Sequence, residues 1–101
     1  MELTRTEVDA TPGELVLEFG ASWCSICDAT RPLVDRVFAE HPGTRRVWIE
    51  DGKGKPLGRS FGVKLWPTLV FLKDGREVTR LIRPSRPQEV ADAFDSIDRA
   101  G

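Results

Sequence analysis

The chain has 101 residues, of which 40% are hydrophobic and 31% are charged. This composition is typical of one folded domain and excludes a disordered segment, and no run approaches the roughly 20 apolar residues that span a bilayer. The formal net charge of −1 gives no field of one sign, which argues against nucleic acid or an anionic membrane as a partner. We therefore expect a monomer with a single domain over residues 1–101, and chemistry at its surface because so small a core leaves little room for an internal cavity.

The first twenty residues predict one buried strand after an ambiguous start. Residues 3–8 fit an edge strand and residues 6–10 fit a helical turn, and the pattern favours neither. Residues 15–19 form a short apolar run with one acid inside it, which is typical of a strand buried on both faces. Gly20 ends this strand.

The next segment predicts a long helix and a second strand. From Cys24 onward apolar residues recur at three- and four-residue steps, the pattern of an amphipathic helix, and His-Pro-Gly at 41–43 stops it. Pro32 falls inside that pattern, so we expect a kink there. Residues 46–50 predict a strand, and a strand, a helix and a strand in this order predict a right-handed parallel crossover. A short helix is expected at 57–61.

The C-terminal part predicts a hairpin followed by a helix. Two candidate strands at 68–72 and 77–82 flank Asp-Gly at 74–75, a strong tight-turn signal, so they should pair antiparallel. Residues 85–88 match a capping box with proline in the first turn, and an apolar stripe beyond them predicts the last helix. Together the elements predict an α/β fold, in which a βαβ unit and a ββα unit form a central mixed sheet of four or five strands flanked by helices.

Cys24 and Cys27 are the only two cysteines, and their spacing fits redox or metal chemistry better than a structural disulfide. Cys24 should lie at the N-terminus of the predicted helix, where free N–H groups and the helix dipole favour a thiolate. Cys27, one turn further on, lies on the same side of that helix. A zinc ion normally takes four ligands, and His41 lies about 20 Å further along the helix, so zinc binding would need a site shared between two chains.

Several residues around this pair carry a specific resemblance. A tryptophan precedes the first cysteine within Phe-Gly-Ala-Ser-Trp-Cys-Ser-Ile-Cys at 19–27, Pro32 follows the second cysteine by five residues, and Trp-Pro-Thr at 66–68 opens the next core strand. Together with Asp-Gly at 74–75, these motifs span nearly the whole chain. Their order resembles that of the thioredoxin family. The resemblance implies the thioredoxin fold and a protein-disulfide oxidoreductase.

The resemblance also implies roles for individual residues. Cys24 corresponds to the attacking cysteine and Cys27 to the resolving cysteine, and the two form a reversible disulfide without any bound cofactor. Trp23 corresponds to the aromatic residue that packs beside the active-site turn. Pro67 corresponds to a cis-proline that lies against the disulfide, and the residue before it, Trp66, offers its backbone to a bound substrate strand.

Four residues leave alternatives open. Glu18 aligns with the family's buried acid, usually aspartate, which accepts a proton from the second cysteine; the alternative is that strand alternation turns Glu18 to water. Ser25 and Ile26 stand where the common reducing thioredoxins have Gly-Pro, and the serine hydroxyl is a candidate hydrogen-bond donor to a thiolate. Trp66 is large for its position, and it either selects particular substrates or packs under the cysteine loop.

The expected function is reduction of protein disulfides in the cytoplasm, with re-reduction by an NADPH-dependent thioredoxin reductase. The expected location follows from the N-terminus, which has no apolar signal segment. Two alternatives stay open. One is an exported oxidant or isomerase whose leader has been removed, and the other is an adaptor that uses the fold for binding, with incidental redox activity. Nucleic acid, membrane and metal are not expected.

Overall fold

The computed structural model describes residues 3–100 as an open sheet with helices on both faces. Within these residues the elements follow one another as α1 (Arg5–Asp9), β1 (Glu14–Gly20), α2 (Ser25–Phe38), β2 (Arg45–Glu50), α3 (Pro56–Ser60), β3 (Thr68–Lys73), β4 (Arg76–Ile82) and α4 (Pro87–Arg99). The strand order is β2-β1-β3-β4, with β1 parallel to β2 and antiparallel to β3, and β3 antiparallel to β4. The predicted α/β fold and mixed sheet are confirmed, with four strands in the described part of the chain.

The ambiguous N-terminal segment forms the helix α1, and the edge-strand alternative is wrong. The Thr4 hydroxyl accepts a hydrogen bond from the backbone N–H of Glu7 at 3.1 Å, and the Glu7 carboxylate accepts one from the Thr4 N–H at 2.9 Å. This reciprocal pair satisfies N–H groups that a helix start otherwise leaves free. Val8 anchors the helix, since it is fully buried against the sheet.

Strand β1 is the central element that positions the cysteine pair. Its side chains alternate between two cores: Leu15, Leu17 and Phe19 pack with α1 and α3, and Val16 packs with α2 and α4. None of these four side chains is more than 1% exposed, which confirms a strand buried on both faces. Because β1 is fixed on both sides, the point where the chain leaves the sheet after Gly20 is fixed as well.

Helix α2 ends at Phe38, earlier than predicted. Its last turn continues into hydrogen-bonded turns, in which the N–H of His41 donates to the Phe38 carbonyl at 2.9 Å. The His41 ring turns inward and stacks on Phe94 of α4, with ring centroids 3.8 Å apart, so the chain leaves the helix axis before it reaches the Pro-Gly pair. Pro32 lies inside the helix, as predicted. Within residues 3–100 no helix is long and apolar enough to cross a bilayer.

Helix α4 starts at Pro87, slightly later than the predicted capping box. Glu89, and not Gln88, reaches back over the helix start, where its carboxylate accepts from the N–H groups of Ser85 at 3.1 Å and Arg86 at 3.2 Å. A carboxylate is the stronger acceptor and is favoured at the positive end of a helix. This preference explains why the Glu89 carboxylate, and not the Gln88 amide, caps the helix.

The predicted hairpin turn at Asp74 and Gly75 is confirmed. Their φ angles of 50° and 80° are those of the two-residue turn that matches the twist of paired strands. A side chain at position 75 would collide with the backbone carbonyl of Asp9, and the Asp74 carboxylate accepts from the Gly13 N–H at 2.8 Å. The hairpin is therefore tied to the segment that leads into β1.

Candidate active site

Cys24 lies between the end of β1 and the start of α2. It is the N-cap residue of α2, and its Sγ accepts a hydrogen bond from the backbone N–H of Cys27 at 3.1 Å. A helix start requires an acceptor at this position, and here a sulfur atom provides it at the positive end of the α2 dipole. Both cysteines are free; Cys24 is 8% exposed and Cys27 is 2% exposed. Cys24 is therefore the more accessible sulfur.

The surroundings of Cys27 keep its thiol protonated. The pKa of Cys27 is raised to about 11, first by burial and then by the hydrogen bond and the charge of Cys24. A backbone hydrogen bond from Ala21 and the positive charge of Arg31 act in the opposite direction. At neutral pH the thiolate form of Cys27 is consequently scarce, and Cys27 is a poor nucleophile.

Two tryptophans and a proline border the cysteine pair. Trp66 packs on the buried cluster formed by Ala21 and the two cysteines, and its Nε1 donates to Asp51 Oδ2 at 2.9 Å. Trp23 is 75% exposed and lies edge-on to Trp66, with ring centroids 5.4 Å apart. The peptide bond between Trp66 and Pro67 is cis, as the resemblance implies. Trp66 thus packs beside the cysteine loop, and Trp23 presents an apolar surface to solvent.

The carbonyl oxygen of Trp66 already has one hydrogen-bond partner. Arg83, which follows β4 with a φ of 52°, donates to that oxygen from its Nε at 2.8 Å, and its backbone N–H donates to the Pro67 carbonyl at 2.9 Å. A carbonyl oxygen has two lone pairs, so the Trp66 oxygen can accept a second bond. Arg83 therefore holds the segment that the resemblance assigns to substrate binding.

Of the two alternatives for Glu18, burial is the one observed, and the side chain forms an ion pair. It is 4% exposed, and its Oε1 accepts from Arg46 Nε at 2.8 Å. The same guanidinium reaches Asp35 Oδ1 from Nη1 at 2.6 Å. The buried carboxylate is thus compensated by a cation from the neighbouring strand, as a buried charge requires.

Gly20 leaves the space in which Trp48 and Cys27 approach each other. A β-carbon at Gly20 would lie 2.5 Å from Trp48 Cη2 and 2.8 Å from Cys27 Sγ, so a larger residue would displace one of them. Glu18 lies two residues earlier in β1 and therefore on the same face of the sheet. It lines an open cleft of about 490 Å³ together with Trp48 and Arg31. This cleft connects the Glu18 carboxylate with solvent. Trp48, which lines the cleft, is the side chain that approaches the Cys27 sulfur.

Ser25 and Ile26 form the exposed first turn between the cysteines. Ile26 is 40% exposed and extends the apolar surface around Cys24. Within residues 3–100 the Ser25 hydroxyl makes no hydrogen bond. The role of this hydroxyl as a candidate donor to a thiolate stays a prediction.

Three residues at the site, Arg46, Trp48 and Arg83, were not marked by the sequence pattern. Arg46 lies 28 residues from its partner Glu18, and Arg83 lies 17 residues from its partner Trp66. The parallel register of β1 and β2, which pairs Glu18 with Trp48, is the signal that identifies the first two. That register is a property of the sheet and not of either strand alone.

The described residues offer no set of metal ligands. Within residues 3–100 no three His, Cys, Asp or Glu side chains are grouped so that they could hold a metal ion. The ring of His41, the one histidine of the sequence, stacks on Phe94 of α4.

Known proteins share this architecture. The thioredoxin family model matches residues 4–96. A thioredoxin of Chlamydia muridarum (strain MoPn / Nigg) is 34% identical over 70 residues, which cover 69% of this chain and 69% of that protein. Thioredoxin Asp f 28 of Aspergillus fumigatus is 25% identical over 85 residues, which cover 84% of this chain and 79% of that protein. The structure of reduced thioredoxin 2 from Pseudomonas aeruginosa PAO1 aligns with a TM-score of 0.87 and 46% identity, over 99% of this chain and 93% of that chain.

Thioredoxins act on protein disulfides with their own cysteine pair and without a bound cofactor. In this chain the pair stands at the start of α2 and packs against Trp66, which precedes the cis bond to Pro67 and contacts the ring of Trp23. The family model also covers all of these residues. The chain therefore belongs to the thioredoxin family and is a thiol-disulfide oxidoreductase.

Proposed function

We propose that this chain reduces protein disulfides, with Cys24 as the attacking nucleophile and Cys27 as the resolving thiol. The contrast between the two sulfurs supports this direction of attack. Cys24 Sγ accepts the Cys27 N–H at the start of α2, whereas the buried Cys27 has a pKa raised to about 11. Because the thiolate and not the thiol attacks a disulfide, the first step falls to Cys24.

The reaction proceeds through two exchanges. In the first, the Cys24 thiolate forms a bond to one substrate sulfur, the substrate S–S bond breaks, and the other substrate sulfur leaves as a thiolate that takes up a proton. In the second, Cys27 loses its proton and attacks Cys24 Sγ, which forms the Cys24–Cys27 disulfide and releases the second substrate sulfur. The substrate gains two electrons and the cysteine pair loses two.

We assign substrate contact to the surface around Cys24. Trp23 and Ile26 supply exposed apolar area, and Trp66 packs against the cluster that contains Cys24. The second lone pair of the Trp66 carbonyl can accept an N–H of an extended substrate segment, next to the bond from Arg83. A substrate segment bound in this way makes a main-chain hydrogen bond and apolar contacts next to the Cys24 sulfur.

Glu18 is the proposed proton acceptor for Cys27. The raised pKa of Cys27 means that its thiolate fraction, and with it the rate of resolution, increases with pH between pH 6 and 9. A base near Cys27 increases the rate of resolution most at low pH, where the thiolate fraction of Cys27 is smallest. We therefore expect Glu18→Gln to slow resolution by about 10²-fold at pH 6 and by progressively less towards pH 9, while attack by Cys24 is unchanged.

A chromogenic aromatic disulfide separates the two steps, because it releases one thiolate on attack and a second on resolution. Glu14→Gln is the matched control, since Glu14 lies at the opposite end of β1 and accepts from the Thr44 hydroxyl at 2.7 Å. Equal second-phase rates for the wild-type protein and Glu18→Gln across pH 6–9 would remove Glu18 from the mechanism.

Turnover requires an electron donor and a compartment in which thiols stay reduced. We propose a thioredoxin reductase that uses NADPH as the donor and the cytoplasm as the compartment, because disulfides formed there are reduced again. The protein acts as a monomer in this scheme, since one chain carries both cysteines.

Reduction of insulin by dithiothreitol tests the proposal directly. The chain should accelerate the precipitation of the free insulin B chain in proportion to its concentration, and Cys24–Cys27 should cycle between dithiol and disulfide. A rate equal to that of dithiothreitol alone would indicate an adaptor that uses the fold for binding only.

A further inference from the structure

A cleft of about 420 Å³ opens beside the cysteine pair, between the loop after β2 and the segment before β3. Four cationic side chains line it, together with one carboxylate and the indole of Trp66. We call it the basic cleft, and its charged and aromatic members are Asp51, Lys53, Lys55, Arg59, Lys64 and Trp66. We propose that the basic cleft binds an acidic segment of the substrate protein close to the disulfide that is attacked; this inference rests on the proposed function.

In the described part of the chain, three of the four cations of the basic cleft lack an internal counter-charge. Lys53, Arg59 and Lys64 are exposed and form no ion pair within residues 3–100. The carboxylate of Asp51 is engaged by Trp66 Nε1 at 2.9 Å. A concave surface that gathers charge of one sign focuses its field and attracts a ligand of the opposite sign. The chain as a whole has a formal net charge of −1, so the excess of cations is local to this cleft.

Trp66 connects the basic cleft with the reacting sulfur. One part of its side chain packs on the cluster of Ala21, Cys24 and Cys27, and the same side chain lines the cleft. The bond to Asp51 fixes the indole between the two. A segment that passes from Cys24 over Trp66 therefore enters the basic cleft within a few residues of its own cysteine.

The partner that fits is a protein segment. The surface between Cys24 and the basic cleft is apolar, because it contains Trp66 and the 47%-exposed Leu65. It also lies next to the sulfur that exchanges with protein disulfides. The acidic side chains would lie one to several residues from the substrate cysteine and approach Lys53, Arg59 and Lys64. Such contacts raise the rate of association more than the rate of the chemical step.

Two disulfide-linked peptides that differ only in flanking charge provide the test, one with Asp and Glu beside the cysteine and one with Asn and Gln. At about 0.01 M ionic strength, where the screening length is about 30 Å, kcat/KM should be about tenfold higher for the acidic peptide. At about 1 M, where that length is about 3 Å, the preference should disappear. The variant Lys53→Gln/Arg59→Gln/Lys64→Gln should lose the preference at low salt and keep the wild-type kcat/KM for the neutral peptide.

A triple control removes the same charge elsewhere. Arg36, Arg45 and Arg76 are exposed, and they lie towards the other end of the sheet, where Leu15 pairs with Arg45 and Lys73 with Arg76. The variant Arg36→Gln/Arg45→Gln/Arg76→Gln should retain the preference for the acidic peptide.

The possible outcomes separate this inference from the proposed function. Reduction of both peptides at equal rates by the wild-type protein, or equal losses in the two triple variants, would refute the acidic-segment inference and leave the reductase intact. Tighter binding of a single-stranded oligonucleotide than of the acidic peptide, lost in the cleft variant, would reassign the basic cleft to nucleic acid. Reduction of neither peptide would refute the proposed function itself.

Discussion

Replacing Cys27 with serine should leave a protein that attacks substrate disulfides and cannot release them. The first exchange needs only the Cys24 sulfur, whereas the second needs a thiol at position 27, so the mixed disulfide on Cys24 has no intramolecular partner. Mass spectrometry under non-reducing conditions should show the variant joined to its substrate through one bond at Cys24. In cell extracts the same variant should retain the physiological substrates.

The companion variant Cys24→Ser should lose turnover altogether. The remaining thiol of Cys27 is 2% exposed, and burial, the largest cause of its raised pKa, is kept in this variant, so Cys27 cannot take over the attack. We expect insulin reduction to fall on the order of 10³-fold or more, as for other lost nucleophiles. If Cys24→Ser were the variant that trapped substrates, the assigned roles of the two cysteines would be reversed.

Replacing Arg46 with methionine should destabilise the fold by about 2–4 kcal/mol. Methionine preserves much of the packing on Phe38, over whose ring the guanidinium lies at 4.6 Å, but it leaves the Glu18 carboxylate buried without its cation. The expected loss of unfolding free energy is smaller than for a fully buried ion pair, because the Arg46 side chain is 27% exposed. Urea unfolding measures the change, with Arg45→Met on the exposed neighbour as the control.

The double variant Glu18→Gln/Arg46→Met separates the ion pair from simple packing. With the buried charge removed, most of the lost free energy of unfolding should return, because an unpaired carboxylate and not a missing guanidinium causes the defect. A double variant as unstable as Arg46→Met alone would show that Arg46 stabilises the fold by its contacts with Phe38 and Asp35.

Features that depend on neighbouring residues were predictable from the sequence. The turn at Asp74–Gly75 needs two adjacent residues with positive φ, which this dipeptide accepts. The position of Cys24 at the helix start follows from a strand that ends at Gly20 and an apolar pattern that begins within the next few residues. The Trp66–Pro67 cis bond was predicted from the family resemblance, since no local pattern specifies it.

Features that depend on the assembled sheet were not predictable in this way. The Glu18–Arg46 pair needs the register of β1 against β2, and the basic cleft needs the loop after β2 to fold back towards Trp66. The start of α4 was misplaced for a different reason, since Gln88 and Glu89 both suit a capping position and the carboxylate is the stronger acceptor. These outcomes were decided by tertiary contacts or by the relative strength of two local signals.

The reduction potential of the Cys24–Cys27 couple tests most directly whether the chain is a reductant. A strongly oxidising couple is one whose reduced form is stabilised. Within residues 3–100, the stabilising contacts of Cys24 Sγ come from the backbone N–H and the side chain of Cys27, and the Ser25 hydroxyl adds none. Equilibration with a dithiol redox buffer, followed by mass spectrometry of the alkylated protein, should give a potential near that of thioredoxin, about −270 mV. A potential near −120 mV, the value of a strong disulfide oxidant, would show that the chain is not a reductant.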